Sequence, residues 1–356
     1  MRQVWKVAGW IGGALGTSAA VATAAQRTRI ARQRREGGTR ELSELPLGRE
    51  STVTADDGVP LSVEQVDPAD GGEPELSVVL VHGYTLDRRS WYFQRRDLAT
   101  SQAPRVRQVL YDQRSHGRSG RAPRRTCTID QLAHDLDSVI RAVAPTGPVV
   151  LLGHSMGGMT IMALAEGHPE LFAERICGVA LLNTSAGEIG SSGLPRPFLS
   201  RYNPVMVVAG QVAAWQPTVV ERGRALGNQL LWGLVRRFAF ADPTVSTELV
   251  DLVDSMIGAT PVEVMTDFLK TLGAHDRYSA LAGLRHVEVL VLGAEADLMI
   301  PYQHSEAIAA LLPDAELVCV PGAGHMAMLE RPEFVTETVR GLVSRCVARE
   351  SRRRRA

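Results

Sequence analysis

Six short apolar runs, each ending on glycine or small polar residues, constrain this chain more than any other feature. They read "LSVVLVHG", "VRQVLYD", "PVVLLGHS", "CGVALLNTS", "VEVLVLGAEAD" and "AELVCVPGAGH". Runs of this kind suit parallel strands buried on both faces. Helical stretches alternate with them: "SWYFQRRDLA", "IDQLAHDLDSVIRAVA", "MTIMALAEGH", "SEAIAALL" and "PEFVTETVRGLVSRCVA". Strand, helix, strand repeated this way requires right-handed crossovers and predicts an α/β doubly wound sheet. Upstream, "ADDGVPLSVEQV" places an Asp-Gly turn between two further strand candidates. One interval breaks the rhythm. From about residue 188 to 275 there is no convincing strand, only helical apolar spacing such as "NQLLWGLVRRFAF" and "TELVDLVDSMI". This insertion leaves the carboxyl end of a strand, and is expected to cover any site built there.

Charge narrows the partners. Residues 1–40 carry eight Arg or Lys against one Glu, and residues 345–356 carry six Arg against one Glu. The formal net charge is zero, so with +12 at the two ends the body carries −12. A negative body lacks the basic footprint needed to neutralise phosphates, which excludes nucleic acid as the expected partner. Cys127, Cys177, Cys319 and Cys346 show no metal-type spacing and read as small buried hydrophobes. At the N-terminus, Val7 to Ala25 is nineteen residues without a charge, about the length of a membrane helix. Signal-peptide cleavage is the rival reading, with small residues at Ala22 and Ala24. The cluster Arg27, Arg29, Arg32, Arg34 and Arg35 that follows favours an uncleaved anchor with the body on the cytoplasmic side. Residues 1–40 thus form an anchor and basic linker, 41–348 the main domain, and 349–356 a basic tail.

In open α/β sheets the reactive groups gather beyond the carboxyl ends of the strands. Four such ends carry polar signatures: "VHGYT" (81–85), "GHSMGG" (153–158), "GAEADLMIP" (293–301) and "PGAGHMAML" (321–329). "GHSMG" fits G-x-S-x-G and sits between a strand and a helix, the context that aims a serine hydroxyl outward from a tight turn. Gly153 and Gly157 would let strand and helix approach closely around Ser155. A serine hydroxyl is a poor nucleophile without a base to take its proton. His325 follows the last strand, and Asp297, beyond the preceding one, supplies the acid that orients an imidazole. The order Ser, Asp, His accompanies this turn. The backbone N–H groups of Met156 and Tyr84 are the candidate oxyanion donors.

At this point the chain resembles the α/β-hydrolase superfamily over about residues 50–348, through "LVHGYT", "YDQRSHGRSG", "GHSMGG", "GAEADLMIP" and "PGAGHMAMLERPEF" in family order. The resemblance implies an eight-stranded, mostly parallel sheet with helices on both faces and a helical cap formed by the insertion. It implies Ser155 as nucleophile, Asp297 as acid, His325 as base, and Tyr84 and Met156 as oxyanion donors, with no cofactor and no metal. Two departures stand out. Asp297 lies four residues after Gly293 where the family commonly spaces three, which leaves Glu295 as a rival acid. Ser115 replaces the first glycine of the usual D-x-R-G-x-G-x-S turn.

Several residues are given plainer roles. His154 is read as structural, lining the site at most, and His82 as shaping the oxyanion loop. Asp112 is read as capping the next turn. His116 and His134 are read as surface or satisfied polar residues. Trp215, Trp232 and the stretch from Met206 to Val208 are read as packing of the cap. The expected function is cleavage of a hydrophobic or lipid-like carboxylic ester through an acyl-enzyme. The alternatives are thioester, carbon–carbon or perhydrolytic chemistry by the same residues, and a silent membrane-anchored binding protein of the same fold.

Overall fold

The computed structural model describes residues 42–189, 233 and 235–355. The expected anchor (7–25), its basic linker, and the part of the insertion holding Met206 to Val208, Trp215 and Trp232 lie outside them. Among the described residues no helix is long and apolar enough to cross a membrane.

The strands are β1 (Arg49–Thr54), β2 (Pro60–Val66), β3 (Leu76–Val81), β4 (Val106–Tyr111), β5 (Val149–His154), β6 (Ile176–Leu182), β7 (Glu288–Ala294) and β8 (Glu316–Val320). They form one sheet in the order β1-β2-β4-β3-β5-β6-β7-β8. β2 is antiparallel to both its neighbours, and every other pairing is parallel. The Asp-Gly turn joins the first two strands as expected: the Gly58 N–H donates to Ala55 O at 2.9 Å, and Gly58 takes φ +89°. Chain order runs outward from β3 in opposite directions, to β4 on one side and β5 on the other. A crevice therefore opens at the carboxyl ends of these central strands.

Period-two alternation divides the apolar runs between two cores. β3 sends Val79 and Val81 to one face and Val78 and Leu80 to the other; β5 sends Leu151 one way and Val150 and Leu152 the other. The first face is covered by α2 (Ile129–Val143) and α3 (Met156–Gly167), the second by α1 (Tyr92–Ala99) and α9 (Pro332–Arg353). α2 begins where the Thr128 side chain accepts the Gln131 N–H at 3.2 Å, a helix N-cap. It turns Leu132, Leu136, Val139 and Ile140 onto the sheet. Further helices among the described residues are α4 (Pro169–Glu174), α5 (Thr247–Ala259), α6 (Val262–Gly273), α7 (Gln303–Leu311) and the single turn α8 (Ala327–Glu330).

β8 departs from the expectation of burial on both faces. It is the edge strand, with only Val320 of its five residues buried, so Cys319 is exposed while Cys127, Cys177 and Cys346 are buried. The two described ends of the insertion meet at an antiparallel bridge between Gly187 and Asp276. From there α5 and α6 run across the carboxyl end of the sheet, where their side chains line the cavity described below.

Candidate active site

The turn between β5 and α3 is built by its glycines. A Cβ on Gly157 would overlap the carbonyl oxygen of Val81, and one on Gly153 would lie 2.6 Å from Gly157 O. At its apex Ser155 takes φ 53°, ψ −117°, a conformation costing an L-residue about 1–3 kcal/mol. The surroundings hold it there. Its N–H donates to Leu182 O at 3.0 Å, and its carbonyl accepts from Gly158 N–H at 3.0 Å and from the Thr184 hydroxyl at 2.7 Å. Burial of Leu151, Leu152, Met159 and Ile161 on the flanking strand and helix, at about 2 kcal/mol each, outweighs the strain.

Two further loops converge on this turn. His325, in the loop after β8, has Nδ1 2.8 Å from Asp297 Oδ2, in the loop after β7. The Asp297 side chain is fully buried and satisfied on every side. Its Oδ2 also accepts Asn183 Nδ2–H at 2.9 Å, and its Oδ1 accepts the N–H groups of Met299 and Ile300 at 2.8 and 2.9 Å. Burial alone would raise its pKa. The adjacent imidazole, the hydrogen bond from it, and those from Ile300 N–H and Asn183 outweigh burial and hold the carboxyl below its usual range. Glu295 instead points to the exposed rim, where it accepts Gly322 N–H at 2.8 Å. The structure thus pairs Asp297, not Glu295, with the imidazole. Among the described residues no hydrogen bond joins the Ser155 hydroxyl to His325. Both line one cavity, and such links commonly tighten only when substrate binds.

The neighbouring histidines are structural. His154 Nε2–H donates to the carbonyl of His325 at 2.9 Å, fixing the base's backbone. Burial, reinforced by nearby His325, lowers its pKa to about 3, so it is neutral. His82 Nδ1–H donates to Gly83 O at 2.8 Å while Nε2 accepts Gln113 N–H at 2.9 Å. That clamp shapes the 82–85 loop, and burial lowers the His82 pKa to about 4. Asp112 accepts Arg118 N–H and Arg88 N–H, both at 2.9 Å, the expected turn cap plus a second loop. Of the two readings open for His116, surface or satisfied polar residue, the structure takes the interior one: it is buried, its Nδ1–H donates to Arg114 O at 2.9 Å, and its ring packs near Phe268. His134 is exposed. Ser115, standing where the family has glycine, adopts the left-handed φ of 64°, and its hydroxyl accepts Ala122 N–H at 2.9 Å.

Met156 is the first residue of α3, so its N–H has no acceptor within the helix and lies at the positive end of the helix dipole. Tyr84 lines the cavity, and its hydroxyl donates to Met265 O at 2.6 Å, tying the loop to α6. The cavity measures about 340 Å³. Val253 and Ile257 of α5, Met265, Leu269 and Leu272 of α6, and Met159 of α3 face it. Its lining, among the described residues, includes no Asp, Glu, Lys or Arg. The described residues also contain no cluster of three or more His, Cys, Asp or Glu able to hold a metal ion.

Asn183 was not singled out from sequence. It follows β6, the strand beside that of Asp297, and takes φ 46°, a left-handed conformation that asparagine tolerates better than most residues. The signal available was a polar residue ending an apolar strand in "LLNTS".

A family model described as "Alpha/beta hydrolase family" matches residues 78–338. The chain belongs to that family and is a hydrolase of the α/β type, with the expected sheet. A thermophilic esterase from Thermogutta terrifontis superposes with a TM-score of 0.65 at 26% identity, covering 84% of this chain and 99% of the esterase. Among curated relatives, the sn-1-specific diacylglycerol lipase ABHD11 of Mus musculus is 25% identical over 275 residues, 76% of this chain and 81% of the lipase. The dihydrolipoyllysine-residue acetyltransferase component of the acetoin cleaving system of Pseudomonas putida is 27% identical over 273 residues, 75% of this chain. The match spans 63% of that relative's length.

Proposed function

We propose that the protein is a serine hydrolase that cleaves carboxylic esters with an uncharged, apolar acyl group. The observation that carries this is the 2.8 Å pair of His325 and a fully buried Asp297, on loops that meet the strained Ser155 turn at one apolar cavity. In this reading Ser155 Oγ attacks the ester carbonyl carbon while His325 Nε2 takes the hydroxyl proton. The N–H groups of Tyr84 and Met156 receive the developing oxyanion. The C–O bond then breaks, the alcohol leaves with the proton from His325, and water repeats the sequence on the acyl-enzyme. Asp297 stays ionised throughout, holding the tautomer in which Nε2 can accept a proton. The esterase and lipase named above support the ester reading.

The cavity sets the expected preference. Each methylene buried is worth about 0.8 kcal/mol, or up to about fourfold in kcat/KM. Across p-nitrophenyl esters from acetate to dodecanoate, kcat/KM is expected to climb with acyl length until the cavity is full, and a succinate half-ester is expected to react poorly. Turnover of no member, or a preference for the charged half-ester, would overturn the proposal.

A further inference from the structure

Beside the backbone of the proposed base lies a buried acid that takes no part in the proposed reaction. Glu330, at the end of α8, is 6% exposed, and its carboxylate makes no ion pair among the described residues. Its two oxygens are instead taken by backbone N–H groups from two separate segments. Oε2 accepts from Gly324 at 2.6 Å, immediately before His325. Oε1 accepts from Ala241 at 2.9 Å and from Asp242, in the chain that leads into α5. The same two segments touch directly. Met326 N–H donates to Ala239 O at 2.9 Å, and a Cβ on Gly324 would lie 2.7 Å from Ala241 N. Ala239 and Met326 both line the cavity. Arg331 spans the pair from outside, donating to Gly322 O at 3.2 Å and to Asp242 Oδ2 at 3.1 Å, but it is partly exposed, so water can replace its bonds.

From this geometry we infer that Glu330 is a positioning residue: it fixes His325 relative to the chain descending from the cap, so that the base is in register only when that chain is seated. The inference rests on the proposed serine hydrolase reading. A carboxylate suits the task because it accepts only. An amide in its place presents one oxygen to one segment and an NH2 group to the N–H of the other, so it can serve one segment and repels the second. Misplacing a base by about 1 Å costs up to about 100-fold, and no contact with substrate is required.

The test compares wild-type protein with Glu330→Gln on p-nitrophenyl acetate, whose acyl group reaches little of the cap-lined cavity, and on p-nitrophenyl octanoate, which fills more of it. The expected result is a fall in kcat of about 10- to 100-fold, by the same factor for both esters, with each KM within about threefold of wild type. Unchanged kcat on acetate, or loss confined to a raised KM on octanoate, overturns the inference, since either would make Glu330 merely a support for the cap. Should Glu330→Gln lack a cooperative melting transition, Glu330→Asp decides. It keeps the charge but is one methylene too short to span both segments, and a smaller, equal loss on the two esters is expected. Wild-type rates for Glu330→Asp, or failure of both variants to fold, overturn the inference. A wild-type protein inactive on both esters is a different result and removes the serine hydrolase reading itself.

Discussion

Ser155→Ala is expected to reduce kcat on a p-nitrophenyl ester by about 10⁴- to 10⁶-fold, leaving KM within a few-fold and the melting temperature nearly unchanged. The hydroxyl is the only group removed, and the fold does not use it: the turn is held by the Ser155 N–H, its carbonyl and the absence of side chains on Gly153 and Gly157. Alanine accepts the same strained φ no worse than serine. Residual turnover would come from the two backbone donors and the cavity acting on a water molecule. A folded Ser155→Ala protein retaining more than about a tenth of wild-type kcat would rule out Ser155 as the nucleophile.

Asp297→Asn is expected to lower kcat by about 10⁴-fold. The substitution preserves volume, so Oδ1 can keep the N–H groups of Met299 and Ile300. The new NH2 group must then face His325 Nδ1 and the Asn183 amide, both of which donate to the carboxylate in the wild type. The way to relieve the conflict at the imidazole is to move its proton to Nε2, which can then no longer take one from Ser155. Glu295→Gln, measured in parallel, is expected to stay within about twofold of wild type, because Glu295 lies on the exposed rim and accepts Gly322 N–H. Because its neighbours hold the Asp297 carboxyl below its usual range, the carboxylate contributes stability above the unfolded-state value, and this is lost as pH falls through the lowered folded-state value. Asp297 therefore stays charged at neutral pH and does not set the acid limb of activity there.

Much of this was legible in the sequence because it rests on local pattern. Runs such as "LSVVLVHG" state both the strand and the loop at its carboxyl end, and "GHSMGG" states the turn, since only glycine fits where Gly157 meets Val81. What escaped depends on contacts that sequence spacing does not encode. Asn183 meets Asp297 across 114 residues, and Glu330 meets Ala241 across 89. Asn183 and Glu330 are ordinary polar residues whose roles appear only when two loops are set side by side. β8 has the apolar composition of a central strand but ends the sheet, so composition alone misplaced Cys319. For His116 the sequence leaves surface and satisfied interior both open, because its partner, the carbonyl of Arg114, is a backbone group.

The most direct measurement is mass spectrometry of the protein after reaction with a fluorophosphonate, which phosphonylates an activated serine and no other hydroxyl at comparable rate. The account predicts a single adduct on the peptide carrying Ser155, formed far more slowly in Asp297→Asn and absent in Ser155→Ala. An unmodified wild-type protein, or an adduct that persists when Ser155 is alanine, would contradict it.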